Sequence, residues 1–382
     1  MLALALRNHL RLLGDCIRAG SKSQGRLTPK RVAVLLAFIP AYTIIQTINA
    51  TGLALDRVLF PGFRNVSVKQ PVFVLGMPRS GTTFLHRLLA QDSAHFSTTK
   101  LWELIVAPSI TQRYIWRMLG RVDRLMGRPG GRLLSGAEKS AFGWFSDVHP
   151  TRLQDAEEDF LALSLIGACF LLILPFPFER VWRLAYFDEQ LNRDEQRQVM
   201  AFYYGLIQRH LYVHGTDRRF LSKNPSFTPM IRALARTFPD AQFIACFRDP
   251  QAAAPSLVSS LQDGARLFDH KDPKATLGLQ LISMLGFYGR HLLATLPQLS
   301  RDQYALVAME NLTSAPKAQT ERLYARLGWP ISTEYRALLS REQVTASGYQ
   351  SRHRYSLAQL GLDEATIEQE LGFLREAVAG AD

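Results

Sequence analysis

Cysteine is scarce. Cys16, Cys169 and Cys246 are the only three, an odd number at wide spacings. They give no basis for a disulfide framework or a metal cluster, and they suit a reducing compartment. Acidic residues are outnumbered, 33 against 45 Lys and Arg, so the formal net charge is +12. Such an excess fits nucleic acid, an acidic membrane or an anionic cofactor. No nucleic-acid motif is present and no basic tract interleaves with aromatics, so nucleic acid is set aside as a partner. Residues 105–215 show no internal repeat. Apolar residues are not in short supply. They make up 47% of the 382 positions, enough for a real core, and the length admits one large domain or two ordinary ones.

The charge is uneven. Residues 1–31 hold seven basic residues and one acid, half of the excess. Over residues 2–18, Leu6, Leu10, Leu13 and Ile17 share one helical face, and Arg7, Arg11, Asp15 and Arg18 share another. Such a helix suits an anionic membrane surface or packs on the protein's own core. Val32 to Leu55 then runs 24 residues without a charge, diluted by Pro40, Gln46 and Asn49. It is long enough to span a bilayer. Three readings stay open: an interfacial or monotopic helix, a buried helix or lipid-pocket wall, and a spanning helix. The basic lead is too long for a secretory signal. Residues 1–65 therefore read as a helical lead and 66–382 as the main domain, with a largely helical insertion over about 105–215. Within that insertion Leu161 to Phe178 reads as a buried helix.

Pro71 to His86 carries the chemistry. Val72 to Leu75 is an apolar, β-rich run. Gly76, Pro78 and Gly81 break it, and Phe84, Leu85, Leu88 and Leu89 follow at helical spacing. Strand, glycine-containing turn and helix make an anion site of backbone N–H groups at a helix N-terminus. The spacing Gly76-x-x-x-x-Gly81 is that of a phosphate-binding loop, but Thr82 stands where a nucleoside triphosphatase has lysine. The loop suits a compact anionic group other than a magnesium-bound triphosphate. An ordinary βα turn is the plain alternative.

Further on, strand-like runs alternate with helical ones. Phe220 to Ser222, Ala241 to Phe247 and Tyr304 to Met309 read as strands, and Ser226 to Phe238, Gln251 to Leu261 and 316–328 as helices. Alternation implies an α/β fold with a parallel sheet, whose ligands bind beyond the carboxyl ends of the strands. Arg79, Lys223 and Arg248 each follow such a strand, so three cations are expected at one edge.

This constellation resembles the sulfotransferase superfamily that uses 3′-phosphoadenosine 5′-phosphosulfate (PAPS). Pro78-Arg79-Ser80-Gly81-Thr82-Thr83 matches that family's 5′-phosphosulfate loop. Arg248, ending a strand, and Ser256, eight residues later, match its 3′-phosphate element; Lys223 matches its lysine at a strand end. The resemblance runs from about 66 to 357, through Arg352-His353-Arg354-Tyr355-Ser356-Leu357, and is closest to a bacterial-type branch with this ending. It implies a P-loop-like three-layer fold, PAPS as co-substrate and no metal. Arg79, Ser80, Gly81, Thr82, Thr83, Arg248 and Ser256 then bind the donor, with Arg352 and Arg354 closing over it. Arg79 and Lys223 stabilise the departing phosphate.

The proton acceptor is less plain. Cytosolic sulfotransferases place a histidine two residues after the lysine; here that residue is Pro225. Tyrosylprotein sulfotransferases use a glutamate past the first helix, and Glu103, 24 residues after Arg79, sits at a comparable place. Glu103 is the expected general base, with the structural carboxylate as its alternative and His149 as its rival. The acidic run Asp155, Glu157, Glu158 and Asp159 reads as a solvated helix start or as a binder of a cationic acceptor group. The expected function is sulfuryl transfer to an alcohol of an apolar or lipid-like acceptor, by a cytoplasmic enzyme peripheral or monotopic on the membrane. The alternatives are a kinase-like P-loop enzyme and a non-catalytic membrane-associated scaffold.

Overall fold

The computed structural model describes residues 2–19, 25–132, 136, 153–270, 275–346 and 363–379. Strand β1, Val72–Gly76, is buried at every position. The twofold alternation of a strand sends Phe73 and Leu75 into one core and Val72 and Val74 into another, so both faces of the sheet are covered. Strands β2 (Phe96–Ser97), β3 (Arg219–Lys223), β4 (Gln242–Phe247) and β5 (Tyr304–Ala308) complete a parallel sheet ordered β2-β3-β1-β4-β5. The α/β expectation is met, and the two-residue β2 is an addition to it.

The order positions the site. From β1 the chain goes to β2 and β3 on one side, then crosses to β4 and β5 on the other. β1 is thus the switch point, where doubly wound sheets bind ligands. Its neighbours on the two sides are β3 and β4, with Val74 opposite Lys223 and Gly76 opposite Cys246. The ends that carry Arg79, Lys223 and Arg248 are therefore adjacent.

The N-terminal lead forms α1 (Leu2–Arg18) and α2 (Pro29–Leu59). Thr28 caps α2 by accepting from Arg31 N, Pro29 opens it, and the helix runs 31 residues straight through Pro40. It is the one described helix long and apolar enough to cross a membrane. Its inner face is nevertheless tied down by polar groups along its length. The buried Arg31 guanidinium donates to Phe268 O and Pro175 O, both at 2.7 Å. Tyr42 donates to Ser164 O, Asn49 Nδ2 donates to Ile105 O, and Asp56 accepts from Ile110 N and Arg209 Nε. In α1 the buried residues are Leu12 and Cys16, while Leu6, Leu10 and Ile17 turn outward.

Three further helices frame the site: α3 (Thr82–Ala90), α4 (Leu101–Ile105) and α5 (Ile110–Leu125). Two expectations are corrected. Leu161 to Phe178 is largely buried but is no continuous helix; it holds two 3₁₀ pieces, Asp159–Ile166 and Phe170–Ile173. Gly167 ends the first with φ 67°, and a Cβ there would lie 3.1 Å from the Asn8 side chain, so the break lets α1 approach. The single helix expected over Ser226 to Phe238 splits into a 3₁₀ piece, Pro225–Met230, and Ile231–Thr237. Pro229 has no N–H to donate to the helical ladder and falls within the 3₁₀ piece.

Candidate active site

The loop after β1 is built by close approach. A Cβ on Gly76 would lie 2.2 Å from the backbone oxygen Cys246 O, so that position admits no side chain, and Gly81 has a φ of 84° that strains any residue with a Cβ. Thr228 Oγ1 accepts from Gly76 N at 3.0 Å and donates to Gly76 O at 2.7 Å. Ser80 is buried and donates to Met77 O, bracing the turn from within. Arg79 takes a left-handed φ of 70°, unusual for a residue with a side chain. Gly81 is the N-cap of α3, so that helix begins at the loop and turns its N-terminal N–H groups toward it.

The expected cations meet here. Arg79 Nε donates to Ser256 Oγ at 2.9 Å, and Arg248 Nη1 donates to Arg79 O at 3.2 Å. Lys223 is 1% exposed, and its Nζ lies 3.2 Å from Thr83 Oγ1. Two hydrogen-bonded sets, Arg79 with Arg248 and Ser256, and Lys223 with Thr83, thus stand at the two ends of the short stretch from Arg79 to Thr83. Asp249, the nearest acid to Arg248 in sequence, caps the Pro250–Leu267 helix by accepting from Gln251 N. His149, Arg352 and Arg354 lie outside the described residues.

Glu103 is fully buried in α4, where Oε2 accepts from Lys100 N at 3.0 Å in a capping box. Oε1 lies 2.7 Å from His214 Nε2 and 3.6 Å from Arg113 Nε. Burial raises its pKa, but the Arg113 charge and the His214 hydrogen bond outweigh burial and hold it far below the usual carboxylate range. Glu103, His210 and His214 bring three potential ligand atoms within 4.8 Å of one another. Arg113 Nη1, 3.4 Å from His210 Nδ1, already puts a cation among them.

The acidic run also departs from expectation. It does start a helix, since Glu158 and Asp159 open the 3₁₀ piece Asp159–Ile166, but that start is folded into the site and not solvated. Lys223 Nζ lies 2.8 Å from Glu158 Oε1 and 3.3 Å from Glu157 Oε1. Asp159 is buried, accepts from Ser222 Oγ at 2.8 Å and from Tyr203 OH, and lies 3.4 Å from Asn224 Nδ2. Burial pushes its pKa up to about 6. Because this carboxyl holds its proton to higher pH than in the unfolded chain, it favours folding in acid, and that contribution fades as pH rises from about 4 through about 6. Over that window wild type is expected to lose about 3 kcal/mol of stability relative to Asp159→Asn. Denaturant unfolding of both proteins across the window checks this; parallel pH profiles would contradict it.

With the geometry in place, comparison with known proteins bears on the family. The sulfotransferase family profile matches residues 71–164 and 175–333. The omega-hydroxy-beta-dihydromenaquinone-9 sulfotransferases Stf3 of Mycobacterium bovis and Mycobacterium tuberculosis are each 25% identical over 301 residues, 76% of this chain and 71% of theirs. The fold is similar to that of sulfotransferase STF1 from Mycobacterium tuberculosis H37Rv, with TM-score 0.70 and 20% identity over 96% of this chain and 92% of that one. Sulfotransferase STF9 from Mycobacterium avium gives 0.66 and 19% over 85% and 81%. The structural likenesses carry the fold, and the profile, covering most of the chain around the phosphate-type loop, carries the family. The chain belongs to the sulfotransferase family and is a sulfotransferase.

Proposed function

We propose that this sulfotransferase moves the sulfuryl group of PAPS to a hydroxyl of an apolar, lipid-like acceptor. The observation that carries the donor assignment is the pair of hydrogen-bonded sets, Arg79 with Arg248 and Ser256 and Thr83 with Lys223, beside the switch-point strand. A phosphosulfate needs fixed donors and no metal, since it has no chelating triphosphate. The N–H groups of the loop and the hydroxyls of Thr82 and Thr83 supply them. Arg248 and Ser256 take the 3′-phosphate, the first by a charge-assisted bidentate contact. Arg248→Ala is expected to weaken adenosine 3′,5′-bisphosphate about 10²-fold and adenosine 5′-phosphate by much less. Calorimetric titration of both nucleotides reads this, and equal losses would contradict it.

In the reaction the acceptor oxygen bonds to sulfur as the bond from sulfur to the 5′-phosphate oxygen breaks. Adenosine 3′,5′-bisphosphate leaves, with Arg79 and Lys223 stabilising its charge. The acceptor proton passes to a carboxylate. The setting of Glu103 supports a structural role, so we assign the proton to Glu158, which lies against Lys223. A phosphosulfate competing for Lys223 would release that carboxylate beside the transferring group.

The lipid-like acceptor is supported by the menaquinone named for the Stf3 relatives and by the apolar outer faces of α1 and α2. The polar anchors along α2 favour a monotopic helix, since spanning would strip them from their partners. The test is labelled-donor sulfation of a lipid extract with the product identified by mass. A sulfated apolar alcohol is expected; transfer confined to water-soluble phenols or sugars would overturn the acceptor.

A further inference from the structure

Helix α5 leaves the body of the protein after one turn. Ile110, Gln112 and Arg113 are buried, and no residue from Tyr114 to the helix end is. A helix so exposed is normally polar all round. This one is not. At about 100° per residue, Tyr114, Ile115, Met118, Leu119, Val122 and Leu125 fall within one arc of about 140°. All six are exposed, Leu125 at 89%. Arg117, Arg121 and Arg124 fall together beside that arc and are exposed as well. Asp123, the only acid of the helix, is engaged by Gly130 N and Gly131 N.

The arc continues onto α2. The Phe60 ring lies 5.4 Å from that of Tyr114, and Leu55, Val58 and Leu59 just before it are exposed. The base of α5 is fixed, because Asp56 accepts from Ile110 N and Thr111 N, both at 2.9 Å, and from Arg209 Nε. A projecting helix, hydrogen-bonded to α2 at its base, with an apolar arc bordered on one side by arginines has the form of an element that lies in a bilayer interface.

We propose that α5, together with the end of α2, docks the enzyme on an anionic bilayer. The apolar arc enters the acyl boundary, and Arg117, Arg121 and Arg124 meet lipid phosphates. Charge favours this occupant over a second copy of the chain, since self-association would bring three arginines of one +12 molecule against another. The inference rests on the lipid-like acceptor reading and adds the surface from which that acceptor is reached.

Flotation of the full-length protein with phosphatidylcholine vesicles, with and without phosphatidylglycerol, tests it. Met118→Glu with Leu125→Glu is expected to lower partitioning about tenfold or more on both vesicles. Arg117→Ala, Arg121→Ala and Arg124→Ala together are expected to lower it about 100-fold on the anionic vesicles only. Both variants should bind adenosine 3′,5′-bisphosphate and turn over a detergent-dispersed acceptor as wild type does. Unchanged partitioning in both variants would overturn the proposal. So would a dimer that the glutamate variant dissociates, without vesicle binding by wild type. Vesicle binding by wild type without sulfation of any lipid would support this surface and overturn the acceptor reading alone.

Discussion

Glu158→Gln is expected to cut kcat by about 10²-fold or more while leaving the affinity for adenosine 3′,5′-bisphosphate intact. Glutamine keeps the shape and an oxygen for Lys223, 2.8 Å from the present carboxylate, but it cannot take a proton. The loss should therefore appear in the chemical step and not in donor binding. Glu103→Gln is expected to do the reverse. Turnover per folded molecule stays near wild type, and stability falls because buried Arg113 loses its countercharge. Single-turnover kinetics with thermal unfolding of both variants separates the roles. If Glu103→Gln lowers turnover without a stability loss and Glu158→Gln does nothing, the base is Glu103.

The second large effect is on stability. Asp56→Ala is expected to cost about 3–5 kcal/mol, the usual scale for removing one partner of a buried ion pair. Its carboxylate is fully buried, 2.9 Å from Arg209 Nε, and caps α5 through two backbone N–H groups and Thr111 Oγ1. Without it a buried guanidinium and the first turn of α5 lose their partner together. Combining it with Arg209→Leu should recover part of the loss by removing the orphaned charge. A loss below about 1 kcal/mol in urea unfolding would mean the pair behaves as a surface ion pair.

These effects trace to what the sequence reveals and what it hides. The loop, Lys223 and Arg248 are legible because each sits at the end of a short apolar strand, and Ser256 by its spacing of eight residues from Arg248, both local patterns. Their convergence follows from the parallel sheet, since β3 and β4 flank β1. The surroundings of Glu103 are not legible, because Arg113 and His214 reach it from α5 and from the Arg193–His214 helix. An acid at a helix start reads alike whether solvated or capping a buried cluster. The same holds for Glu157 and Glu158, whose partner Lys223 lies more than sixty residues away. The break at Gly167 is set by the approach of α1, which no local pattern records. In α2, Arg31, Asn49 and Asp56 look like interruptions or flanks of an apolar run and are in fact its anchors.

The central claim is that the loop after β1 and the Arg248–Ser256 element hold the two ends of one 3′-phosphorylated nucleotide without a metal. Titrating the full-length protein with adenosine 3′,5′-bisphosphate in EDTA, and separately with ATP and magnesium, tests it most directly. The account predicts saturable one-to-one binding of the bisphosphate in EDTA, with affinity at least about tenfold above that for magnesium ATP. Tighter binding of magnesium ATP, or bisphosphate binding only when magnesium is present, would contradict it.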